Sequence, residues 1–164
     1  MPPPLRAAAG HGISYRGMTD SDLPFVAELF ASTRREEVAV TGWSPEVQEA
    51  FLRQQHEAQH AHYSLHRGNS EWLIIARGAE PIGRLYWRED AGNLHVTDIS
   101  LVPQERGRGI GGAILRDLLA LAHDKGKGVT VYVEKFNPAR RLYERLGFAA
   151  IENDGVYDLM RAEA

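Results

Sequence analysis

Two short stretches of the chain hold residue types at spacings that could support chemistry. The first, HEAQHAHYSLH, runs from His56 to His66 and contains the pattern HExxH. In that pattern two histidines one helical turn apart bind zinc, and the glutamate activates a water molecule. The stretch also fits the longer zinc pattern HExxHxxGxxH, except that Tyr63 stands in place of its glycine. The second stretch, GRGIGG, has the glycine spacing of a phosphate-binding turn.

The histidine stretch is predicted to lie on one unbroken helix, which disfavours a shared metal ion. The glycine of the longer pattern lets the third histidine fold back, and Tyr63 gives no such break. His66 would then lie about 15 Å along the helix axis from His56. We therefore expect no metal site and interpret the histidines as polar surface or acceptor-site residues. A zinc hydrolase that uses His56 and His60 is the less favoured alternative.

Composition restricts the class of protein. The chain has 164 residues, of which 43% are apolar, enough for one domain with a buried core. We expect a flexible leader at residues 1–10 and a single domain at 11–164. The chain has no cysteine, which excludes disulfides, thiolate zinc sites and a cysteine nucleophile. A formal charge of -3 argues against nucleic acid as a partner, no apolar run is long enough for a membrane, and cytoplasm is the default location.

The hydrophobic periodicity predicts the element order β α α β β β α β α β β. Thr19 or Asp20 is expected to cap the first helix, whose apolar face is Leu23, Val26, Ala27 and Phe30. The second helix is predicted from Ser44 to about Arg67, with an apolar side made of Val47, Phe51, Ala58, Ala61 and Leu65.

A mixed sheet is predicted from the strand patterns. The runs EWLIIARG, PIGRLYWRE and NLHVTDISLV are separated by turn residues and suggest an antiparallel meander. The run NLHVTDISLV, the helix after GRGIGG and the strand VTVYVE form a strand, helix, strand passage. Such a passage makes its two strands parallel, with a right-handed crossover.

The glycine-rich turn could belong to several phosphate-binding motifs. A dinucleotide fold is disfavoured because four residues, Pro103 to Arg106, separate the strand from the first glycine, and because too little chain follows Glu134. A Walker loop is excluded because no Lys-Ser or Lys-Thr follows the glycines. A site for an anion remains, because glycines allow close backbone approach, helix N–H groups point at the ligand, and Arg106 and Arg108 add positive charge.

These residues resemble the GNAT superfamily of acyl-CoA-dependent N-acyltransferases. The family signature Q/R-x-x-G-x-G/A is matched by Gln104 to Gly109, followed by Ile110 and Gly111. Two further stretches, NPARRLYERLGF and YRGMTDSDLPFVAEL, are similar to other parts of the family pattern, so the resemblance spans about residues 13 to 161. One departure is that Asn137 lies six residues before Tyr143, where the family commonly has seven.

The resemblance implies an α/β (α+β) fold with acetyl-CoA as co-substrate. The sheet would be mixed and mostly antiparallel, with about six to seven strands, a central parallel pair that splays apart, and about four flanking helices. The pantetheine arm would lie between the splayed strands, and the pyrophosphate on the amides of Arg106 to Gly111. The implied cofactor-binding residues are Ile99, Leu101, Val102, Gln104, Arg106, Gly107, Arg108, Gly109, Ile110, Gly111, Asn137, Arg140 and Tyr143.

The implied reaction is direct transfer of the acetyl group to an amine. By resemblance, a backbone N–H near Leu101 would polarise the thioester and Tyr143 would protonate the departing sulfur. The alternative for Tyr143 is a core residue packed beside its helix neighbours. Candidate bases are Asp98, His95, Glu89 and Glu134, with Asp98 and His95 expected on opposite faces because strand side chains alternate. A water molecule could also take the proton, so the base stays open.

The second helix is expected to wall the acceptor pocket, as the first two helices do in the family. Its polar residues Gln55, Gln59, His62 and Tyr63 are the candidate substrate contacts. The implied partner is a small-molecule or peptide amine, with a homodimer allowed and neither nucleic acid nor membrane expected. A non-catalytic CoA-sensing module of the same fold is the second alternative. The identity of the amine and the preferred acyl chain are left open.

Overall fold

The computed structural model describes residues 1–163, and its elements follow the predicted order. The strands are β1 (Ser14–Gly17), β2 (Glu71–Arg77), β3 (Glu80–Glu89), β4 (Asn93–Leu101), β5 (Gly128–Glu134), β6 (Ala149–Asp154) and β7 (Tyr157–Ala162). The helices are α1 (Leu23–Ala39), α2 (Pro45–Leu65), α3 (Ile110–Asp124) and α4 (Arg140–Arg145). Short 3-10 turns occupy Ala7–His11, Asp20–Asp22 and Pro103–Glu105.

The strands form one mixed sheet in the order β1-β2-β3-β4-β5-β7-β6. All neighbouring strands are antiparallel except β4 and β5, which are parallel and are connected through α3. This arrangement confirms the predicted fold class, including the single parallel pair and the four helices. The pair stays in register only from Asn93 to Val96 on β4 and from Gly128 to Val131 on β5. Both strands continue further, so they separate beyond these residues and open a gap in the sheet.

A bulge in β4 lies where the two strands separate. On β3, the adjacent residues Tyr86 and Trp87 pair with Asp98 and Val96 of β4. Thr97, which lies between Val96 and Asp98, is therefore an extra residue in β4. A bulge of this kind shifts the alternation of side chains by one. The expectation that His95 and Asp98 lie on opposite faces is therefore wrong. Both are on the α2 side of the sheet.

The main core fills the space between the sheet and α3. It includes Leu85, Val96, Ile114, Leu118 and Val131, which are nearly or completely inaccessible to solvent. The opposite face is covered by α1 and α2, as the contact between Arg84 of β3 and Gln59 of α2 shows. Ser44 caps α2 by accepting a hydrogen bond from the Val47 amide at 3.3 Å, as its position predicts.

The buried side of α2 is not the one that its apolar residues predict. Val47 and Leu65 are 50% and 79% exposed, whereas Leu52 and His56 are buried. Of the predicted face, Phe51 packs against the small core that Leu52 forms with α1. The rest of the prediction is wrong because α2 reaches the sheet with polar and aromatic side chains. Hydrophobicity alone therefore selects the wrong side of this helix.

The N-terminal segment is held against α3 by one carboxylate. The backbone N–H groups of Arg6, Ala7 and Ala8 donate to the Asp117 carboxylate at 3.1, 2.6 and 3.0 Å, and Ala8 is fully buried. Residues 6–8 thus have specific contacts where the sequence suggests a loose leader. Their small alanine side chains permit the close approach to α3, and an acceptor on α3 replaces water for the amides.

Replacing Asp117 by alanine should destabilise the fold, because the buried or half-buried backbone amides of residues 6–8 would lose their hydrogen-bond acceptor. We expect the free energy of unfolding to fall by roughly 2–3 kcal/mol in urea titrations. Asp124→Ala is the control, since that exposed carboxylate only meets Arg6 at 3.7 Å and should change stability by less than about 0.5 kcal/mol. Equal losses in the two variants would contradict an anchoring role for Asp117.

Candidate active site

The glycine-rich turn presents a row of free backbone donors. Gly107 and Gly109 adopt left-handed φ angles of 72° and 84°, which glycine adopts at little cost, and Gly109 caps α3. Within residues 1–163, the N–H groups of 107–112 donate to no protein acceptor. The amide of Arg106 instead bonds to the Pro103 carbonyl at 3.2 Å, so the free donors start one residue later than the sequence suggests. A row of free amides at the start of a helix has the geometry that anion sites use.

The two arginines of the turn have different environments. Arg106 is held in place, because its Nε donates to the Leu101 carbonyl at 2.9 Å and its Nη2 to the Ser32 hydroxyl at 3.0 Å. Arg108 is mostly exposed, and its guanidinium lies 3.8 Å from Glu105. Gln104 is exposed as well. Arg106 therefore fixes the turn to β4 and α1, and Arg108 is the side chain that can swing toward a bound anion.

The predicted pantetheine contacts lie at and just after the end of β4, where it no longer pairs with β5. Ile99, Leu101 and Val102 are half-buried against the main core, beyond the last residue that pairs with β5. Ile110, the first residue of α3, is buried beneath the turn. The space beside Gly111 is open, since a Cβ added there would meet no atom within 4 Å.

Tyr143 projects from α4 into the core near the gap. Only 7% of the residue is exposed, and its ring meets Phe148 edge-on at a centroid distance of 5.4 Å. Burial, and secondarily the charge of Asp98, raises the pKa of Tyr143 to about 12. The hydroxyl therefore keeps its proton at neutral pH. It has no hydrogen-bond partner in the part of the chain that the structure describes.

The other two predicted residues near α4 are engaged in structural contacts. Asn137 accepts a hydrogen bond from the Ala139 amide at 2.8 Å and so shapes the turn before the helix. Arg140 forms an ion pair with Asp158 at 2.7 Å and approaches Glu144 at 3.4 Å. Both residues position α4, which in turn positions Tyr143.

A buried ion pair lies on the opposite side of the gap from α3. The Arg84 guanidinium, on a residue that is 2% exposed, donates to Asp98 at 2.8 Å and to the Gln59 side-chain oxygen at 2.9 Å. Asp98 also accepts hydrogen bonds from the hydroxyls of Tyr63 at 3.2 Å and Ser100 at 2.6 Å. Sequence reasoning missed Arg84, although an arginine in the middle of the apolar run PIGRLYWRE was a usable signal.

A cleft of about 410 Å³ opens beside this network, between α2 and the sheet. The C-terminal half of α2 contributes His62, Tyr63 and His66. The floor over β4 and β5 is formed by His95, Thr97 and Tyr132. Two of the predicted acceptor contacts, His62 and Tyr63, therefore line the cleft.

The remaining lining residues come from the two ends of the cleft. Ser70, Trp72 and Arg88 lie at the β2 and β3 end, and Asp154 and Tyr157 lie at the hairpin of β6 and β7. Of the other predicted contacts, Gln59 touches Arg84, and Gln55 is exposed and does not line the cleft.

Comparison with known proteins identifies the family. Residues 31–162 match the acetyltransferase (GNAT) domain family. The chain belongs to the GNAT family. It is therefore an acetyltransferase, and enzymes of this family use acetyl-CoA as co-substrate. No curated protein matches the sequence.

Several solved structures share the GNAT fold of this chain. PaiA N-acetyltransferase from Thermoplasma acidophilum, in complex with coenzyme A, is 20% identical, with a TM-score of 0.69 over 93% of this chain and 99% of that one. An acetyltransferase from Thermus thermophilus is 18% identical, with a TM-score of 0.64 over 93% and 97% of the two chains. A GCN5-related N-acetyltransferase from Rhodopseudomonas palustris is 19% identical, with a TM-score of 0.62 over 92% and 95%. At these identities the likeness shows the fold.

The four candidate bases of the GNAT site lie in different places. Glu89 pairs with Lys125 and Lys127 near the C-terminal end of α3, the end opposite the glycine turn. Glu134 pairs with Arg34 at 3.1 Å and accepts from the Tyr157 hydroxyl at 3.3 Å. Asp98 belongs to the Arg84 network, and His95 faces the cleft with its Nδ1 2.8 Å from the Thr130 hydroxyl. Asp98 and His95 therefore lie on the acceptor side of the gap, and Glu134 reaches the edge of the cleft through its contact with Tyr157.

The histidine stretch is continuous helix, as predicted. α2 runs through Tyr63 to Leu65, and His56 is buried against Phe30 at a centroid distance of 5.7 Å. Among residues 1–163, no group of three potential metal ligands comes together. Within the same residues, no helix has both the length and the apolar character needed to cross a membrane.

His95 should make the stability of this GNAT domain depend on pH. Burial, and secondarily the charge of Arg88, lowers the pKa of His95 from 6.5 to about 4. Between these values the unfolded chain binds a proton that the folded chain rejects, so stability is complete above pH 6.5 and falls as the pH drops toward 4. The contribution is at most about 1.4 kcal/mol per pH unit.

Urea titrations of the wild type and of His95→Gln across this pH range measure that contribution. The wild type should lose stability relative to His95→Gln as the pH falls from 6.5 toward 4. The pKa of His56 is also lowered, by burial first and Arg84 second, but His56 is present in both proteins and cancels. Parallel pH profiles would show that His95 titrates normally.

Proposed function

We propose that the protein transfers the acetyl group of acetyl-CoA directly to an amine that enters through the cleft under α2. One observation carries the proposal: the floor of the cleft, at His95, Thr97 and Tyr132, coincides with the point where β4 and β5 separate. The gap therefore connects the glycine turn on one side of the sheet with the acceptor cleft on the other. A thioester in the gap would be within reach of an amine in the cleft.

The donor side is assigned from the free backbone groups. The pyrophosphate of CoA binds the amides of 107–112, with Arg108 adding charge. The pantetheine arm runs along Ile99 to Val102, whose edge is not covered by β5. A backbone N–H near Leu101 polarises the thioester carbonyl, as the family resemblance implies.

Tyr143 is the proposed general acid. The neutral amine nitrogen attacks the thioester carbon, the C–S bond breaks, and the hydroxyl gives its proton to the departing sulfur. The nitrogen loses one proton to a base or to water, and the tyrosinate regains a proton from solvent. A free thiol has a pKa of about 8.5, below that of Tyr143, so the transfer would be uphill in water. The burial that raises the pKa of Tyr143 also disfavours a thiolate beside it, which reduces this difference.

Gly111→Val tests the donor site. The added side chain occupies the open space beside the turn, so the dissociation constant for CoA should rise at least about 10-fold in calorimetry. The helix itself should not weaken, because valine has a better helix propensity than glycine. Gly17→Val is the control, since that glycine is also open but lies on β1, away from the turn. Unchanged CoA affinity in Gly111→Val would place the pyrophosphate elsewhere.

Tyr143→Phe tests the proton donor. The substitution keeps the ring that packs on Phe148 and removes only the hydroxyl, so kcat should fall by roughly 100-fold to 10,000-fold with little change in acetyl-CoA affinity. The loss should shrink for an acyl donor whose thiol leaves readily without a proton. If kcat is unchanged while chemistry limits the rate, Tyr143 is a core residue and water supplies the proton.

A further inference from the structure

We infer that the acceptor is an arylalkylamine, a primary amine joined to an aromatic ring by a short aliphatic spacer. The inference rests on the proposed function and concerns the cleft that is lined by residues of α2, β2 to β5 and the β6–β7 hairpin.

Rings dominate the lining of this cleft. Seven of the eleven side chains that line the cleft carry an aromatic ring: three histidines, three tyrosines and Trp72. Aromatic rings prefer offset or edge-to-face contact with other rings, and such pairs add about 0.5–1.5 kcal/mol beyond the area that they bury. Such a lining favours a flat aromatic group over a flexible polar chain.

Several of these rings still have surface available for a ligand. Tyr132 and Tyr157 are 49% and 38% exposed, and the His62 and His66 rings lie 4.6 Å apart at the α2 wall. Trp72, in contrast, is covered on its faces by Arg67 at 4.2 Å and Tyr86 at 4.8 Å. The free surface is thus concentrated at Tyr132, Tyr157 and the two α2 histidines.

The charges in the cleft suit an acceptor with one positive charge. Among residues 1–163, the permanently charged groups that line the cleft are Arg88 and Asp154, and Arg88 is already bonded to Asp90 at 3.0 Å. Asp154 has no ion-pair partner among residues 1–163 and can attract one protonated amine. A polyamine would bring further ammonium groups that find no carboxylate in the cleft, and leaving charges unpaired is costly. An acidic acceptor would find no free cation.

The position of Tyr132 limits the spacer. It is the first residue of β5 beyond Val131, the last residue paired with β4, so it stands at the mouth of the gap. Its ring also meets His95 edge-on at 5.7 Å. With the thioester in the gap, as proposed, a ligand ring packed on Tyr132 lies beside it, which fits a short aliphatic spacer.

The test compares three amines under saturating acetyl-CoA by the release of CoA thiol: phenethylamine, its saturated analogue cyclohexylethylamine, and butanediamine. The first two have the same charge and a similar size, but only the phenyl ring is flat and carries a π system. We expect kcat/KM for phenethylamine to exceed that for the cyclohexyl analogue by about 3- to 10-fold, and butanediamine to be the poorest.

Tyr132→Leu locates this preference, and Phe136→Leu is its matched control. Phe136 is 96% exposed near the end of the same strand and does not line the cleft. The phenyl to cyclohexyl ratio should fall to about one in Tyr132→Leu and persist in Phe136→Leu. Because the ratio is taken within each protein, a general loss of activity cancels.

Two outcomes overturn the inference. One is equal use of the phenyl and cyclohexyl amines by the wild type. The other is a preference for butanediamine that Asp154→Asn removes, which would mean recognition of a second cation. Calorimetry of the amines with the CoA-bound protein separates the two proposals: phenethylamine binding that Tyr132→Leu weakens, without turnover by any amine, would retain recognition of an arylalkylamine by the cleft and reject the proposed transfer to it.

Discussion

The architecture of this protein depends on the separation of two parallel strands. β4 and β5 pair for four residues each, and then part at a bulge that adds Thr97 to β4. Beyond that point each strand has one edge without a ladder partner inside the sheet. Backbone groups left in this way need other partners, since unpaired buried N–H and C=O groups are costly. The Arg106 side chain already donates a hydrogen bond to the Leu101 carbonyl. A ligand with amide groups of its own can bond to other free backbone groups along the gap.

The two faces of the sheet present different structures to the gap. On the α3 side, glycines in left-handed conformations expose backbone amides at the start of a helix, and the position of that helix is fixed by the apolar core. On the other side, α2 has few apolar residues directed at the sheet and is connected to it through Gln59, Tyr63 and their partners Arg84 and Asp98. A buried ion pair contributes little net stability because both charges lose water. Its value here is geometric, because it sets the height of α2 above the cleft.

Local sequence patterns were sufficient to predict features that a single short segment of the chain determines. The element order follows from periodicity and turn residues, and the start of α2 follows from Ser44 and Pro45. The glycine-rich turn was predicted because its shape depends on backbone angles that glycine adopts easily, so the spacing of the glycines is itself the signal. The same reasoning failed for the buried face of α2, where Leu52 and His56 were missed in favour of Val47 and Leu65. That face is selected by α1 and by a charged partner on β3, neither of which is local to the helix.

The sequence by itself therefore determined the mixed sheet, the four helices, the glycine-rich turn and the family to which the chain belongs. Tertiary structure decided which side chains meet across the gap. The bulge at Thr97 moved His95 and Asp98 to one face, the partner of the N-terminal amides was Asp117 more than a hundred residues away, and the cleft combined residues from α2, the sheet and the last hairpin. Each of these depends on strand register or on long-range packing. Strand register shifts with a single inserted residue, and neither propensity nor periodicity records such an insertion before the strands have paired.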